Sequence, residues 1–175
     1  AAPAVQVGSV SLSSQPPVYV RRGPLTPLLW TLECIHTESD GVAFASQDPR
    51  LLLHRQEVGA PLLSTQRIGR IFQEEFFRAL VPDEKSHSAI SREHLQIWAS
   101  ELPSTDLHAA NGTPTQGVPC DFFLTNFSQN GTVVNGSHVT GKGEQIRLHS
   151  GDVIGFVRGD SPGAPFLKLR FHLTG

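Results

Sequence analysis

Apolar and polar residues alternate most cleanly near the C-terminus. There PFLKLRFHL (165–173) sets Leu167, Leu169, Phe171 and Leu173 on one side and Lys168, Arg170 and His172 on the other. A period of two is the repeat of an extended chain, because successive strand side chains point to opposite faces. The second half of LLWTLECIH (28–36) alternates in the same way and predicts a strand, which ESDGV closes with turn residues. LLLHRQEV and PLLSTQRIG read as two short β segments around a Gly-Ala-Pro break. HLQIWAS (94–100) and CDFFLTNF (120–127) read as strands, and EQIRLHSGDVIGFV (144–157) as two strands joined at HSGD. One stretch breaks this rhythm. In FQEEFFRALVPDEK (72–85), Phe72 and Phe76 stand four apart, as do Phe77 and Val81, which is helical spacing; Pro82 ends the helix at or before it.

Many short strands, frequent turns and almost no helix predict an all-β fold, an antiparallel β-sandwich with a short helical insertion around 72–81. VVNGSHV predicts a hairpin turning at Asn135-Gly136, two residues that tolerate positive φ, and SQNGT offers a second tight turn. ELPSTDLHAANGTPTQGVP is dense in Pro, Gly, Asn and Thr and is expected to be a long loop. Residues 1–27 carry prolines at 3, 16, 17, 24 and 27, which suits an extended linker or a strand-like arm. The domain itself is therefore expected over 28–174, with Trp30 and Trp98 in its core.

Composition narrows the function. A chain of 175 residues fits one medium domain with a tail or insertions. Its 38% hydrophobic and 17% charged residues have a globular balance, and ten Phe and two Trp can build a core. A net charge of −2 gives no bulk attraction to nucleic acid or anionic lipid, so an anion site has to be a local cluster of donors. Two cysteines, Cys34 and Cys120, make neither a disulfide scaffold nor a zinc site and are expected to be reduced, which suits an intracellular protein. No apolar run approaches the ~18 residues of a membrane helix. The absence of Met predicts a fragment of a longer protein, and AAPAVQVGSVSL does not read as a signal peptide.

Candidate chemistry gathers on the turns. Gly69-Arg70 closes a strand, and Ser91-Arg92-x-His94 leads into one. Asn130-Gly131-Thr132-x-x-Asn135-Gly136 follows, then LHSGDVI. These four motifs, in this order on the loops of a β-rich chain, closely resemble the forkhead-associated (FHA) domain, a SMAD/FHA-like β-sandwich that recognises phosphothreonine peptides. The resemblance covers about residues 62–157 by motif and 28–174 by strand count. It implies a non-catalytic module, without cofactor or metal, that docks its parent on threonine-phosphorylated proteins and not on nucleic acid or membrane; a monomer is expected. By the same resemblance, Arg70 contacts the phosphate or the adjoining peptide backbone, Ser91 donates its hydroxyl to a phosphate oxygen, and Arg92 flanks the phosphate. Asn130 would bond the peptide main chain. Gln129 stands where the family usually has a small or basic phosphate contact, and can donate from its amide with a longer reach. Gly69, His94, Gly131 and Thr132 would brace the loops, and Asn135 either braces its hairpin or touches the peptide. The physics fits. A phosphothreonine carries about −1.5 to −2 charges and three strong acceptors near pH 7, which two guanidiniums and a hydroxyl on rigid strand ends can meet.

Other readings of the same residues are weaker. Sequons begin at Asn111, Asn126, Asn130 and Asn135, but Asn-Gly turns account for most of them. Ser91, His94 and Asp152 would form a hydrolytic triad without a nucleophile elbow. GKGEQ (141–145) lacks the full phosphate-loop pattern and a following helix, though Lys142 would flank a bound peptide. Eight scattered His residues show no helical ligand pair, and Lys168, Arg170 and His172 read as a solvated strand face. The main rival is an FHA-fold scaffold that binds independently of phosphate, through 72–90.

Overall fold

In the computed structural model, which describes residues 18–21, 28–38, 51–55, 65–101, 117–159 and 163–173, eleven strands and two short helices are found. The expected antiparallel sandwich forms. One sheet runs β1 (Val18–Arg21), β6 (Gly117–Asn126), β5 (Leu95–Glu101), β4 (Gln66–Ile68). β9 (Gln145–Leu148) also pairs with β6: β1 meets its start and β9 its end, both on the side away from β5. The other sheet runs β3 (Leu51–Arg55), β2 (Leu28–Thr37), β11 (Leu167–Leu173), β10 (Val153–Phe156), β7 (Thr132–Val134), β8 (Ser137–Val139). Every pairing is antiparallel.

Alternation along each strand decides what goes inside. Leu167, Leu169 and Phe171 of β11 are buried while Lys168, Arg170 and His172 stay partly exposed, the pattern expected for this stretch. Ile68, Leu95, Ile97, Phe122, Leu124 and Leu148 from the first sheet meet Trp30, Leu32, Ile154, Phe156 and Phe171 from the second. Phe171 lies 6.0 Å from Trp30 and 5.9 Å from Phe122, which links the two layers through aromatic contact. Each such ring, once fully buried, contributes about 1.5–3 kcal/mol of hydrophobic stabilisation.

One detail differs from the sequence reading and two extend it. Trp98, expected in the core, is only half-buried: Ile97 takes the inward position of β5, so its neighbour faces outward and stacks on Phe123 at 4.7 Å. The strands joined at HSGD do not pair with each other, because β9 belongs to one sheet and β10 to the other. His149 N donates to Asp152 Oδ2 and Asp152 N to His149 O, so residues 149–152 form a closed corner between the sheets. Within the 1–27 segment, β1 is a strand of the first sheet, so the sandwich draws on residues before the boundary expected at Leu28. The expected long loop after β5 lies largely outside the described residues.

The helical insertion is two helices, α1 (Glu74–Leu80) and α2 (Glu84–Ala89), with Pro82 between them. α1 buries Phe77 and Leu80, and Phe77 packs edge-on against Phe156 at 5.6 Å. α2 has no apolar stripe; it begins on a cap, where Ser86 N donates to Asp83 Oδ2 at 2.9 Å. That donor holds the Asp83 carboxyl below the usual carboxylate range. Together the helices lead the chain from the end of β4 back to the start of β5.

Candidate functional site

Three chain segments converge where β4 ends and β5 begins: the turn 69–73, the stretch 89–94 and the loop 126–131. The first two are joined backbone to backbone. Arg70 N donates to Ser91 O at 3.2 Å, Ile71 N to Arg92 O at 3.3 Å and His94 N to Ile68 O at 2.8 Å. This close approach requires Gly69, because a Cβ there would lie 2.1 Å from the Arg92 carbonyl oxygen. Gln73 closes the turn with its side chain, accepting from Gly69 N and donating to Arg67 O.

Arg70 is oriented by the insertion. Its Nε donates to Ile90 O at 2.9 Å, and its two terminal nitrogens have no partner among the described residues. Asn130 reaches the same stretch from the other side, donating from Nδ2 to Ala89 O at 3.0 Å. Only the amide nitrogen can donate to a carbonyl, so Asn130 Oδ1 faces away from Ala89 as an acceptor. The last carbonyls of a helix have no partner inside it, and here the end of α2 spends two of them on site side chains. Arg92 is exposed, with no side-chain partner among the described residues.

A buried polar network supports the third segment. Ser91 Oγ lies 3.0 Å from Ser128 Oγ, which also accepts from Asn130 N. Asn126 donates to Ser128 O and Gly141 O, and accepts from Ser128 N and from Thr132 Oγ1 at 2.8 Å. Asn126, Ser128 and Thr132 are all buried, so each polar atom needs such a partner. Gly131 turns the loop at φ 82°. Gln129 points out of this network and is exposed.

His94 lies beneath the site with its ring fully buried, 4.5 Å from the Phe156 ring. Its Nδ1 accepts from Ser91 N at 3.1 Å. Burial pushes its pKa down to about 3; the Gly131 main chain opposes this weakly, short of a hydrogen bond, since Nε2 has no partner among the described residues. Burial also lowers the pKa of His87 on α2. The folded protein therefore keeps His94 neutral where the unfolded chain, with a pKa near 6.5, takes up a proton. That stability is fully present above pH 6.5 and is lost as pH falls from there towards about 3. From pH 7 to pH 5, His94 alone is expected to remove about 2 kcal/mol of unfolding free energy. Denaturant unfolding at the two pH values measures this. Asn in place of His94 can accept from Ser91 N without titrating, so His94→Asn should flatten the dependence; an unchanged slope would refute the assignment.

The structure thus brings Gly69, Arg70, Ser91, Arg92, His94, Asn130, Gly131 and Thr132 into one neighbourhood. Asn135 is bonded elsewhere. It sits at φ 50° in the turn between β7 and β8, donates to Asp152 Oδ1 and accepts from Val153 N. Ser128 and Asn126 were not singled out from the sequence as parts of the site, although the Asn126-x-Ser128 pair lies at the end of an apolar strand. Buried polar residues at such a place signal a bonded loop. Nor do the triad residues bond to each other: Ser91 reaches His94 through its backbone, and Asp152 holds His149 N and Asn135.

Comparison with known proteins adds the family level. A family model described as "FHA domain" matches residues 67–157. Among solved structures, an engineered FHA with a Myc-pTBD peptide is 16% identical at a TM-score of 0.50, covering 84% of this chain and 92% of that one. The N-terminal FHA domain of S. cerevisiae Rad53p, solved with a phosphothreonine peptide, is 16% identical at a TM-score of 0.43, covering 84% and 94%. The FHA2 domain of Rad53, complexed with a phosphotyrosyl peptide derived from Rad9, is 14% identical at 0.48, covering 85% and 78%. No curated protein sequence matches the chain.

Proposed function

The chain belongs to the FHA domain family, and on that premise we propose that it binds phosphothreonine peptides through Arg70, Ser91, Arg92 and Asn130, with Gln129 at the rim. The observation that carries this reading is the two guanidiniums on backbone-bonded neighbours, one fixed at Nε with its terminal nitrogens open. Such a pair meets a dianionic phosphate with charge-assisted bonds, which are roughly twice as strong as neutral ones. Capture of phospho-motifs by Arg is a recurrent recognition mode, which FHA domains share.

Ser91 fits its role through Ser128. Either hydroxyl of the pair can donate, and Asn130 N already supplies Ser128 Oγ with a hydrogen. When phosphate accepts the Ser91 hydrogen bond, Ser128 reverses and donates to Ser91 Oγ, so no buried donor is stranded. Asn130 Oδ1 accepts from a peptide N–H while Nδ2 stays on Ala89 O. Asn135, with both amide atoms used, serves the hairpin.

The reading is tested with an oriented phosphothreonine peptide library, with matched phosphoserine and unphosphorylated libraries as controls. Selective retention of phosphothreonine is expected. Retention of the unphosphorylated library to the same extent would favour the phosphate-independent scaffold.

A further inference from the structure

Arg158 stands just after β10, and its guanidinium joins three parts of the chain that lie far apart in sequence. It sits over Phe166, 5.1 Å from the ring centroid. Nη1 donates to Glu38 Oε2 at 3.0 Å, and Nη2 donates to Ser86 Oγ on α2. Nε is buried without a partner among the described residues, so the terminal nitrogens and the ring contact fix the group. An ion pair with a partly exposed carboxylate contributes little to stability. Its effect is on position. Glu38 N donates to Phe166 O at 2.9 Å, so two of the three partners are already joined at the end of the second sheet. The third belongs to the insertion.

α1 has other anchors: Leu80 O accepts from Thr37 Oγ1 at 2.7 Å, and Phe77 packs on Phe156. α2 buries only Ser86 and His87, and the Ser86 hydroxyl carries the tie to the second sheet. Ser86 lies three and four residues before Ala89 and Ile90, about one helical turn. The carbonyls of those two residues accept from Asn130 Nδ2 and Arg70 Nε. A shift at Ser86 therefore reaches both carbonyls through a single turn of chain. Gly159 lies against the same amide from the other side of the tie, for a Cβ there would fall 2.5 Å from Asn130 Oδ1. We propose that Arg158 is a positioning residue for the phosphopeptide site: it holds α2 through Ser86, so that the Ile90 and Ala89 carbonyls orient Arg70 and Asn130. The proposal rests on the phosphothreonine reading above and gives Arg158 no contact with the peptide.

The experiment compares the full chain with its Arg158→Ala, Arg158→Lys, Ser86→Ala and Arg158→Ala/Ser86→Ala variants. Ser86→Ala removes the tie but leaves the helix cap, which uses the Ser86 backbone N–H. Calorimetry measures affinity for a phosphothreonine peptide from the library screen and for its unphosphorylated counterpart. Proton–nitrogen NMR of the free protein follows Arg70 Nε–H, which is shielded from exchange with water while it is bonded to Ile90 O. Arg158→Ala should weaken phosphopeptide binding about three- to tenfold, as if the fraction of molecules with α2 in place fell to roughly a third to a tenth. Dependence on phosphate should remain, and Arg70 Nε–H should exchange at least about tenfold faster. Arg158→Lys keeps the charge but lacks the fork that meets Glu38 and Ser86 together, so it should not restore affinity. Ser86→Ala should weaken binding about threefold alone and add less than about twofold in the double variant, because both changes break one tie.

Affinity within twofold of wild type in a folded Arg158→Ala protein overturns the proposal, as does unchanged exchange of Arg70 Nε–H. Full affinity in Arg158→Lys overturns it by making Arg158 a source of attraction for phosphate. Full affinity in Ser86→Ala beside a loss in Arg158→Ala overturns it by placing Arg158 on the peptide. If the wild type does not prefer phosphorylated peptides, the phosphothreonine reading fails instead, and the exchange of Arg70 Nε–H, which needs no ligand, still decides whether Arg158 holds that side chain. If Arg158→Ala melts below the assay temperature, Ser86→Ala gives the same comparison.

Discussion

Replacing Arg70 with Ala is expected to abolish measurable phosphopeptide binding in a protein that remains folded. The guanidinium is half-buried and fixed by its bond from Nε to Ile90 O, so its terminal nitrogens are oriented before a ligand arrives. Hydrogen bonds to a charged partner contribute about 1.5–3 kcal/mol each. Two of them lost together weaken binding by at least about a hundredfold. The cost to the fold is smaller. Ile90 is fully buried, so its carbonyl left without that partner costs about 1–3 kcal/mol. Titration calorimetry with a selected phosphopeptide, beside a thermal melt of the same sample, separates the two effects. Affinity within threefold of wild type in a folded Arg70→Ala protein would sink the clamp.

Gly69→Ala should damage fold and binding together. A Cβ at position 69 would lie 2.1 Å from Arg92 O, 2.8 Å from Arg92 C and 2.9 Å from Glu93 Cα, all of them backbone atoms. No flexible side chain is available to move aside. The end of β4 and the start of β5 must separate, which stretches the bonds from Arg70 N to Ser91 O and from Ile71 N to Arg92 O. Overpacking alone costs about 1–3 kcal/mol, and two weakened hydrogen bonds raise the total above roughly 3 kcal/mol. For a domain of this size that lowers the melting temperature by roughly 10 °C. Arg70 and Ser91 part in the same motion, so phosphopeptide affinity should fall as well. A melting temperature within two degrees of wild type, found by scanning calorimetry, would show that this approach is not needed.

The residues that declared themselves in the sequence are those whose structure is local. The alternation from Leu167 to Leu173 specified a strand and its buried face, and Asn135-Gly136 specified a hairpin, with φ of 50° and 82° at its two turn residues. What the sequence hid depends on partners far along the chain. β9 and β10 are separated by four residues yet pair with different sheets. α2 has no helical stripe of apolar residues and shows only its Asp83 cap. Trp98 looks like core until the register of β5 is known, because one position decides which face it takes. The site was legible as a set of residue types in order, but its supports were not. Ser128 and Asn126 read as parts of a turn and a sequon, while their buried bonds to Ser91, Thr132 and Gly141 emerge only when the loops meet. Gly69 was legible as a bracing glycine, but the reason, a lack of space against Arg92, was not.

The insertion was expected only as the interaction surface of the phosphate-independent rival, yet the end of α2 supplies the carbonyls that hold Arg70 and Asn130. A six-residue helix is too short to persist without its neighbours. For the phosphopeptide binding proposed above, only molecules with α2 wound are competent, so the apparent dissociation constant is the intrinsic one divided by the wound fraction. A substitution that unwinds α2 should therefore weaken the proposed site without touching it.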